Sequence, residues 1–135
     1  MAPTHQQTHN AGRHLIVAEA LLHGNKASLV GRSSLIEVNG YRALVQVAAK
    51  GAWQIADVDA YTSGTIERVV LIDVTGGLRD LYICPGDALR NDVRERYNAF
   101  LASKGGVRPR NPHSKHAAIY PEHVQNWHND WSQFV

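Results

Sequence analysis

"SLIEVNGYRALVQVAAKGAW", residues 34–53, is the stretch that decides the fold of this chain. Two runs of alternating apolar and polar residues flank Asn39-Gly40, which is typical of a two-residue type I′ turn because both residue types tolerate positive φ angles. The stretch therefore predicts a β-hairpin in which Val38 pairs with Tyr41.

This register fixes which side chains of the hairpin share a face. Glu37 is expected opposite Arg42, and Ser34 opposite Val45. Because side chains alternate along a strand, one face of the second strand carries Leu44, Gln46 and Ala48, and the other carries Val45 and Val47. Gln46, a polar residue between two valines, marks either a functional site or a core amide with a hydrogen-bond partner.

A helix is predicted before the hairpin. Residues 14–22, "HLIVAEALL", place apolar side chains at helical spacing, and Gly24-Asn25 ends the pattern. Residues 1–10 are polar and lack periodicity, so they are expected to be disordered. Residues 11–135 are then expected to form a single domain.

Two further strands and a second helix follow the hairpin. The stretches at 67–74 and 78–85 are rich in β-branched and aromatic residues and are joined by a Gly-Gly turn. A helix is expected from about Ala88 to Ser103, with Asp87 as its N-cap. Residues 51–66 predict at most a short helical turn or a lid. Prolines are expected to keep residues 107–121 irregular, and a short helix is expected to begin at Pro121. The order of elements indicates an α/β (α+β) sandwich in which helices flank a central mixed sheet, followed by a helical tail.

Composition excludes several classes of protein. The formal net charge of the 135 residues is +2, and the single cysteine, Cys84, excludes both an intramolecular disulfide framework and a cysteine-rich zinc site. No apolar run reaches the roughly 18 residues that a membrane span requires. A protein of the cytoplasm with no membrane contact is expected.

Basic residues are concentrated in one segment. Residues 88–116 contain seven Lys or Arg against two acids, Asp92 and Glu95. Such a segment can contact phosphate groups, although a solvated basic loop has the same composition. The expected nucleic-acid-binding residues are Arg90, Arg94, Lys104, Arg108, Arg110, Lys115 and His116.

The features that carry a resemblance to a known family are the element order, the "VQV" end of the hairpin, the "VVLIDV" strand and the "DLYICPGD" strand that leads into a helix. In these features the chain resembles the PD-(D/E)XK nuclease-like superfamily, in particular its small bacterial members. The resemblance spans residues 12–131 and implies a restriction-endonuclease-like sandwich. It also implies a Mg²⁺-dependent endonuclease site: an Asp at the start of the second strand, a Glu or Gln on the third, and a Lys two positions further on.

Most of these positions lack the implied charges in this chain. The Asp position falls on Ser34 or Ser33, the Glu/Gln position on Gln46 and the Lys position on Ala48. Mg²⁺ requires carboxylate ligands, which Ser and Ala do not supply. Two substitutes are considered: Glu37 as a metal ligand together with Gln46, and Lys50 in place of the missing lysine, on the same face of the strand as Gln46.

The resemblance leaves two classes of function open. The first is a nucleic-acid-handling domain, binding DNA with RNA not excluded, as an atypical Mg²⁺-dependent endonuclease or as a binding module without catalysis. The second is a protein-interaction or regulatory domain, of the accessory or immunity type, on the same fold. The sequence does not distinguish a natural Ala48 from an engineered one, and it leaves homodimer formation open.

Overall fold

The computed structural model describes all of residues 1–135. The strands are β1 (Ala27–Leu29), β2 (Leu35–Val38), β3 (Tyr41–Ala48), β4 (Trp53–Ile55), β5 (Arg68–Asp73), β6 (Asp80–Pro85) and β7 (Ala117–Ile119). The α-helices are α1 (His5–Leu22), α2 (Val58–Thr62) and α3 (Gly86–Ser103). None of the helices is both long enough and apolar enough to cross a bilayer.

A five-stranded mixed sheet forms the centre, with the spatial order β1-β2-β3-β5-β6. Strands β3 and β5 are parallel, and the other neighbours are antiparallel. The predicted hairpin and its register are confirmed, since Val38 pairs with Tyr41 and Glu37 with Arg42. The backbone N–H of Val45 also donates to the carbonyl of Ser34 (2.8 Å).

Each face of the sheet is covered by its own apolar layer. On β5, Val69 and Leu71 pack into the layer that contains α3, whereas Val70 and Ile72 pack into the layer that contains α1. This alternation follows from the pleat of a strand that is buried on both faces. The predicted α+β sandwich, with a mixed sheet flanked by helices, is confirmed.

The first helix begins earlier than expected. Residues 5–10, predicted to be disordered, form its first turns, so that prediction is corrected. The Thr4 hydroxyl accepts from the backbone N–H of Gln7 (3.1 Å), and the Gln7 side chain accepts from the backbone N–H of Thr4 (2.9 Å). This is a capping box, and its Thr-x-x-Gln spacing was readable in the sequence.

The second long helix also begins before the predicted residue, at Gly86 rather than Ala88. Its N-cap is Pro85, and the Asp87 carboxylate accepts only from the N–H of the next residue, Ala88 (2.8 Å). A glycine is required at position 86 because an added Cβ would lie 2.0 Å from the carbonyl oxygen of Ile66. The close passage of another chain segment therefore requires glycine in the first turn of this helix, which has no side-chain cap.

The C-terminal segment is not the single helix that was predicted. It forms three short 3₁₀ turns, at Pro121–His123, Gln125–Trp127 and Trp131–Phe134. Trp127 packs on the α3 side of the sheet and Trp131 on the α1 side. Between them the N–H of Asn129 donates to the carbonyl of Leu81 at the outer edge of β6 (2.9 Å). A straight helix cannot bury side chains on both faces of a sheet, so the segment breaks at this edge.

A small ribbon lies on the α3 side. Strands β4 and β7 pair antiparallel, with Gln54 opposite Ala118. The segment around β7 was expected to be irregular, so this strand is a further departure from the sequence prediction. The ribbon separates the two surface clefts described below.

Candidate functional site

A cleft of about 700 Å³ lies where β3 ends, between the first turns of α1, the loop before β2, and β4 with α2. We call it the Gln46 cleft. Its polar side chains are His5, Thr8, His9, Ser34, Gln46, Lys50, Gln54 and Tyr61. It brings together three of the predicted site residues, Ser34, Gln46 and Lys50, and its lining contains no Asp or Glu.

Gln46 is half-buried in this cleft and is held by α2. The hydroxyl of Tyr61 donates to Gln46 Oε1 across 2.6 Å. Burial raises the pKa of Tyr61, so the hydroxyl stays protonated at working pH and remains a donor. The amide oxygen is therefore engaged, and the Gln46 Nε2 group is left as the free hydrogen-bond donor.

The first turns of α1 form one wall of the cleft through His5 and His9. Burial, together with the neighbouring Arg13 and His5, lowers the pKa of His9. The Nε2 atom of His9 is buried without a hydrogen-bond partner. Sequence reasoning missed both histidines because it placed residues 1–10 outside the fold; the Thr4 and Gln7 spacing was the signal that would have included them.

Arg13 fixes the loop that carries Ser34. Its side chain is 3% exposed, and Nη2 donates to the carbonyls of Gly31 (3.1 Å) and Leu35 (3.2 Å). These bonds tie the residues on both sides of Ser34 to α1. A charged hydrogen bond to a backbone carbonyl is stronger than a neutral one, so the loop is held rigidly beside the cleft.

Ala48 lies outside the cleft. It is 1% exposed and belongs to the core on the α3 side. Its register partner on β5 is Asp73, whose carboxylate is 4% exposed and accepts from the backbone N–H of Thr75 (3.0 Å). The position at which the resemblance implies a lysine is thus a packed methyl group, and it faces a carboxylate that the sequence did not single out.

Glu37 does not join the other predicted residues. It pairs with Arg42, four residues before Gln46 along β3, which is about 13 Å at roughly 3.3 Å per residue. Glu37 instead lines a shallow surface depression beside the hairpin turn, with Lys26 and Asn39. A single metal ion cannot be shared by Glu37 and Gln46 at this separation.

The residues of the Gln46 cleft do not fit Mg²⁺. The cation needs oxygen ligands, carboxylates above all, yet Gln46 Oε1 accepts from Tyr61 and no carboxylate lines the cleft. No cluster of three or more His, Cys, Asp or Glu side chains is placed to hold a metal ion. The Lys50 ammonium, with no carboxylate beside it, instead makes the cleft suited to an anion.

Several of the predicted phosphate-binding residues hold the protein together. Arg94 and Lys115 both contact the carboxylate of Asp59 at 2.7 Å. The Arg90 guanidinium donates to the carbonyl of Ile66 (2.8 Å) and that of Arg108 to Ser114 Oγ (2.8 Å). These cations join α3 and the loop after it to the neighbouring segments, which reduces what they can give to a ligand.

Other cations have no protein acceptor. Arg110 lies in the loop after α3, Lys104 lies at the end of that helix, and Lys50 follows β3. Arg32 is exposed two residues before Ser34, and sequence reasoning did not select it. His116 lines a separate pocket beside α3.

The fold defines an α+β protein in which helices flank a mixed five-stranded sheet. The structure of a bacterial homing endonuclease, I-Ssp6803I, matches this chain with a TM-score of 0.54 and 13% sequence identity, covering 97% of this chain and 91% of that one. At this identity the likeness concerns the fold. No protein-family model matches the sequence, and no curated protein matches it.

Proposed function

We propose that this chain is a nucleic-acid-binding domain, acting on DNA, in which a nuclease-like fold has no metal-dependent cleavage activity. The observation that carries the proposal is the charge of the Gln46 cleft, which contains the Lys50 ammonium and no carboxylate. The homing endonuclease with a similar fold supports the choice of DNA.

The chemistry of the cleft favours phosphate over a metal ion. The Lys50 ammonium and the Gln46 amide N–H groups are donors, and phosphate oxygens are acceptors. Without carboxylates there is no ligand set to place a Mg²⁺ ion between the protein and a scissile phosphate. The cleft would therefore hold the DNA backbone without activating water.

The expected interaction is electrostatic and weaker than the basic segment alone predicts. With Arg90, Arg94 and Lys115 engaged inside the protein and Arg108 engaged through Nη1, the cations left without a protein acceptor include Lys50, Arg32, Lys104 and Arg110. About three or four phosphate contacts would give a slope of roughly −3 for log K against log salt on duplex DNA.

The test is fluorescence anisotropy with a labelled DNA duplex at several salt concentrations, with single-stranded DNA and duplex RNA as competitors. Lys50→Gln should weaken binding several-fold and reduce the salt slope by about 1. Lys26→Gln is the matched control because Lys26 lies beside the hairpin turn, at the opposite end of β3. Absence of binding at low salt, or equal effects of the two variants, would overturn the proposal and favour a protein-interaction domain.

A further inference from the structure

A second pocket, of about 400 Å³, lies between α3 and β7. We call it the α3–β7 pocket. It opens on the other side of β4 from the Gln46 cleft, and Gln54 lines both. The small side chains of Ala117 and Ala118 on β7 leave the space that forms it.

The walls of the pocket are aromatic on both sides. Phe100 and Tyr97 come from α3, and Tyr120 comes from the residue after β7. Tyr120 is 46% exposed, so its ring is accessible to a ligand, and Phe100 is 39% exposed with the Arg108 guanidinium over its ring. Exposed aromatic rings at a concave site are surfaces on which a planar group can stack.

Two guanidinium groups border the same space with free donors. Arg96 uses Nε for its ion pair with Asp92 (2.8 Å), which leaves both terminal nitrogens without a protein acceptor. Arg108 uses Nη1 for Ser114 Oγ and lies 5.4 Å from the centre of the Phe100 ring, which leaves Nε and Nη2 free. Paired guanidinium donors are suited to the oxygens of a phosphate group.

His123 adds a neutral donor. Its Nδ1 accepts from the backbone N–H of Tyr120 (3.2 Å), so the proton of the neutral ring is on Nε2. Burial and the nearby Arg96 lower the pKa of His123, which keeps the ring neutral near pH 7. With Arg96 and Arg108 against the single carboxylate of Asp92, the lining has an excess of positive charge.

We propose that the α3–β7 pocket binds one nucleotide unit, with the base stacked on the exposed aromatic rings and the phosphate held by Arg96 and Arg108. The volume is within the range of small-ligand sites, and stacking surfaces together with guanidinium donors match a planar base with an attached phosphate. The unit is either a free mononucleotide or an unpaired nucleotide of a strand. The second source rests on the proposed function, because Gln54 lines both this pocket and the Gln46 cleft.

The test is isothermal titration calorimetry of the whole chain with 5′-AMP and 5′-CMP, and with adenosine and inorganic phosphate for comparison. 5′-AMP should bind at least tenfold more tightly than adenosine or inorganic phosphate. Arg96→Gln and Tyr120→Ala should each weaken nucleotide binding about tenfold. Arg42→Gln is the matched control, since Arg42 is exposed at the start of β3 and does not line the pocket.

The source is identified by competition. If a duplex with a one-nucleotide overhang displaces 5′-AMP and the blunt duplex does not, the pocket binds an unpaired nucleotide of a strand. If neither duplex displaces 5′-AMP, the pocket binds a free nucleotide. No saturable binding of either nucleotide up to about 5 mM, or binding unchanged in both pocket variants, overturns the proposal. If the blunt duplex still binds in a Lys50-dependent manner, only the pocket assignment fails; if it does not, both proposals fail.

Discussion

The hydroxyl of Tyr61 donates a hydrogen bond of 2.6 Å to Oε1 of Gln46, joining α2 to β3. This oxygen is the atom that a glutamine would offer to a metal ion in a nuclease of the kind that the sequence resembles. Here the bond fixes the orientation of the amide instead, and Nε2 becomes the group available to a ligand. One tyrosine therefore orients the Gln46 amide so that its Nε2 group is available to an acceptor.

Replacing this tyrosine tests the contact directly. Tyr61→Phe removes one hydrogen bond and leaves the half-buried Gln46 Oε1 without its donor, which should lower the free energy of unfolding by about 1–2 kcal/mol. Urea denaturation followed by circular dichroism measures the change. Tyr120→Phe is the control, because that side chain is 46% exposed, and it should change the free energy of unfolding by less than about 0.5 kcal/mol. Equal stability of the two variants would show that the Tyr61 contact contributes nothing.

The chain should not nick supercoiled plasmid with Mg²⁺ or Mn²⁺, because the Gln46 cleft has no carboxylate. Ala48→Lys alone should not create the activity. It inserts a long side chain at a position that is 1% exposed, at a cost of about 1–3 kcal/mol of stability, and it places the ammonium beside Asp73 rather than in the cleft. Ala48→Met controls for size without charge.

Cleavage should require at least a second change, Ser34→Asp, which supplies a carboxylate to the cleft. The assay compares both variants with the unaltered chain, with and without chelator. Chelator-sensitive nicking by the unaltered chain would contradict the proposed lack of activity, and nicking by Ala48→Lys alone would indicate that position 48 is an altered catalytic lysine.

The capping box of α1 should stabilise the wall of the cleft. Thr4→Ala removes the acceptor for the Gln7 N–H and should cost about 1 kcal/mol. The loss should be local, with faster hydrogen exchange at the amides of Thr8 and His9 in the first turns of α1. Thr65→Ala, at an exposed threonine outside any helix or strand, is the control. Rapid exchange of these amides in the unaltered chain would restore the prediction that residues 1–10 are disordered.

His9 should make stability depend on pH. Its pKa in the folded protein lies below the usual value of 6.5, so the unfolded chain binds more protons than the folded one as pH falls. The contribution of His9 is therefore most favourable above pH 6.5 and is lost as the pH falls through 6.5 towards the lower folded value. His9→Gln should reduce the loss of stability between about pH 7.5 and 5.5, measured by urea denaturation, with His14→Gln, at an exposed position of the same helix, as the variant for comparison.

The hairpin and the sheet core followed from the sequence. Asn39-Gly40 requires a tight turn, and the strict alternation on both sides of it leaves one register that buries Val38, Ala43 and Val45. The continuous apolar run of β5 is likewise typical of a strand buried on both faces, and β5 is buried in this way. Such short-range signals depend on the local chain alone, and this is why the fold class could be predicted.

The surroundings of Gln46 were decided by tertiary structure. The sequence placed Gln46 and Ala48 on one face, but it could not show that Tyr61 occupies the Gln46 oxygen or that Ala48 packs in the core while Lys50 lines the cleft. The partners of the basic residues were equally hidden, since Asp59 is 35 residues from Arg94 in the chain. The sequence gives the number of charged side chains. The packing of distant segments determines which of these side chains have a partner within the protein and which remain free to bind a ligand.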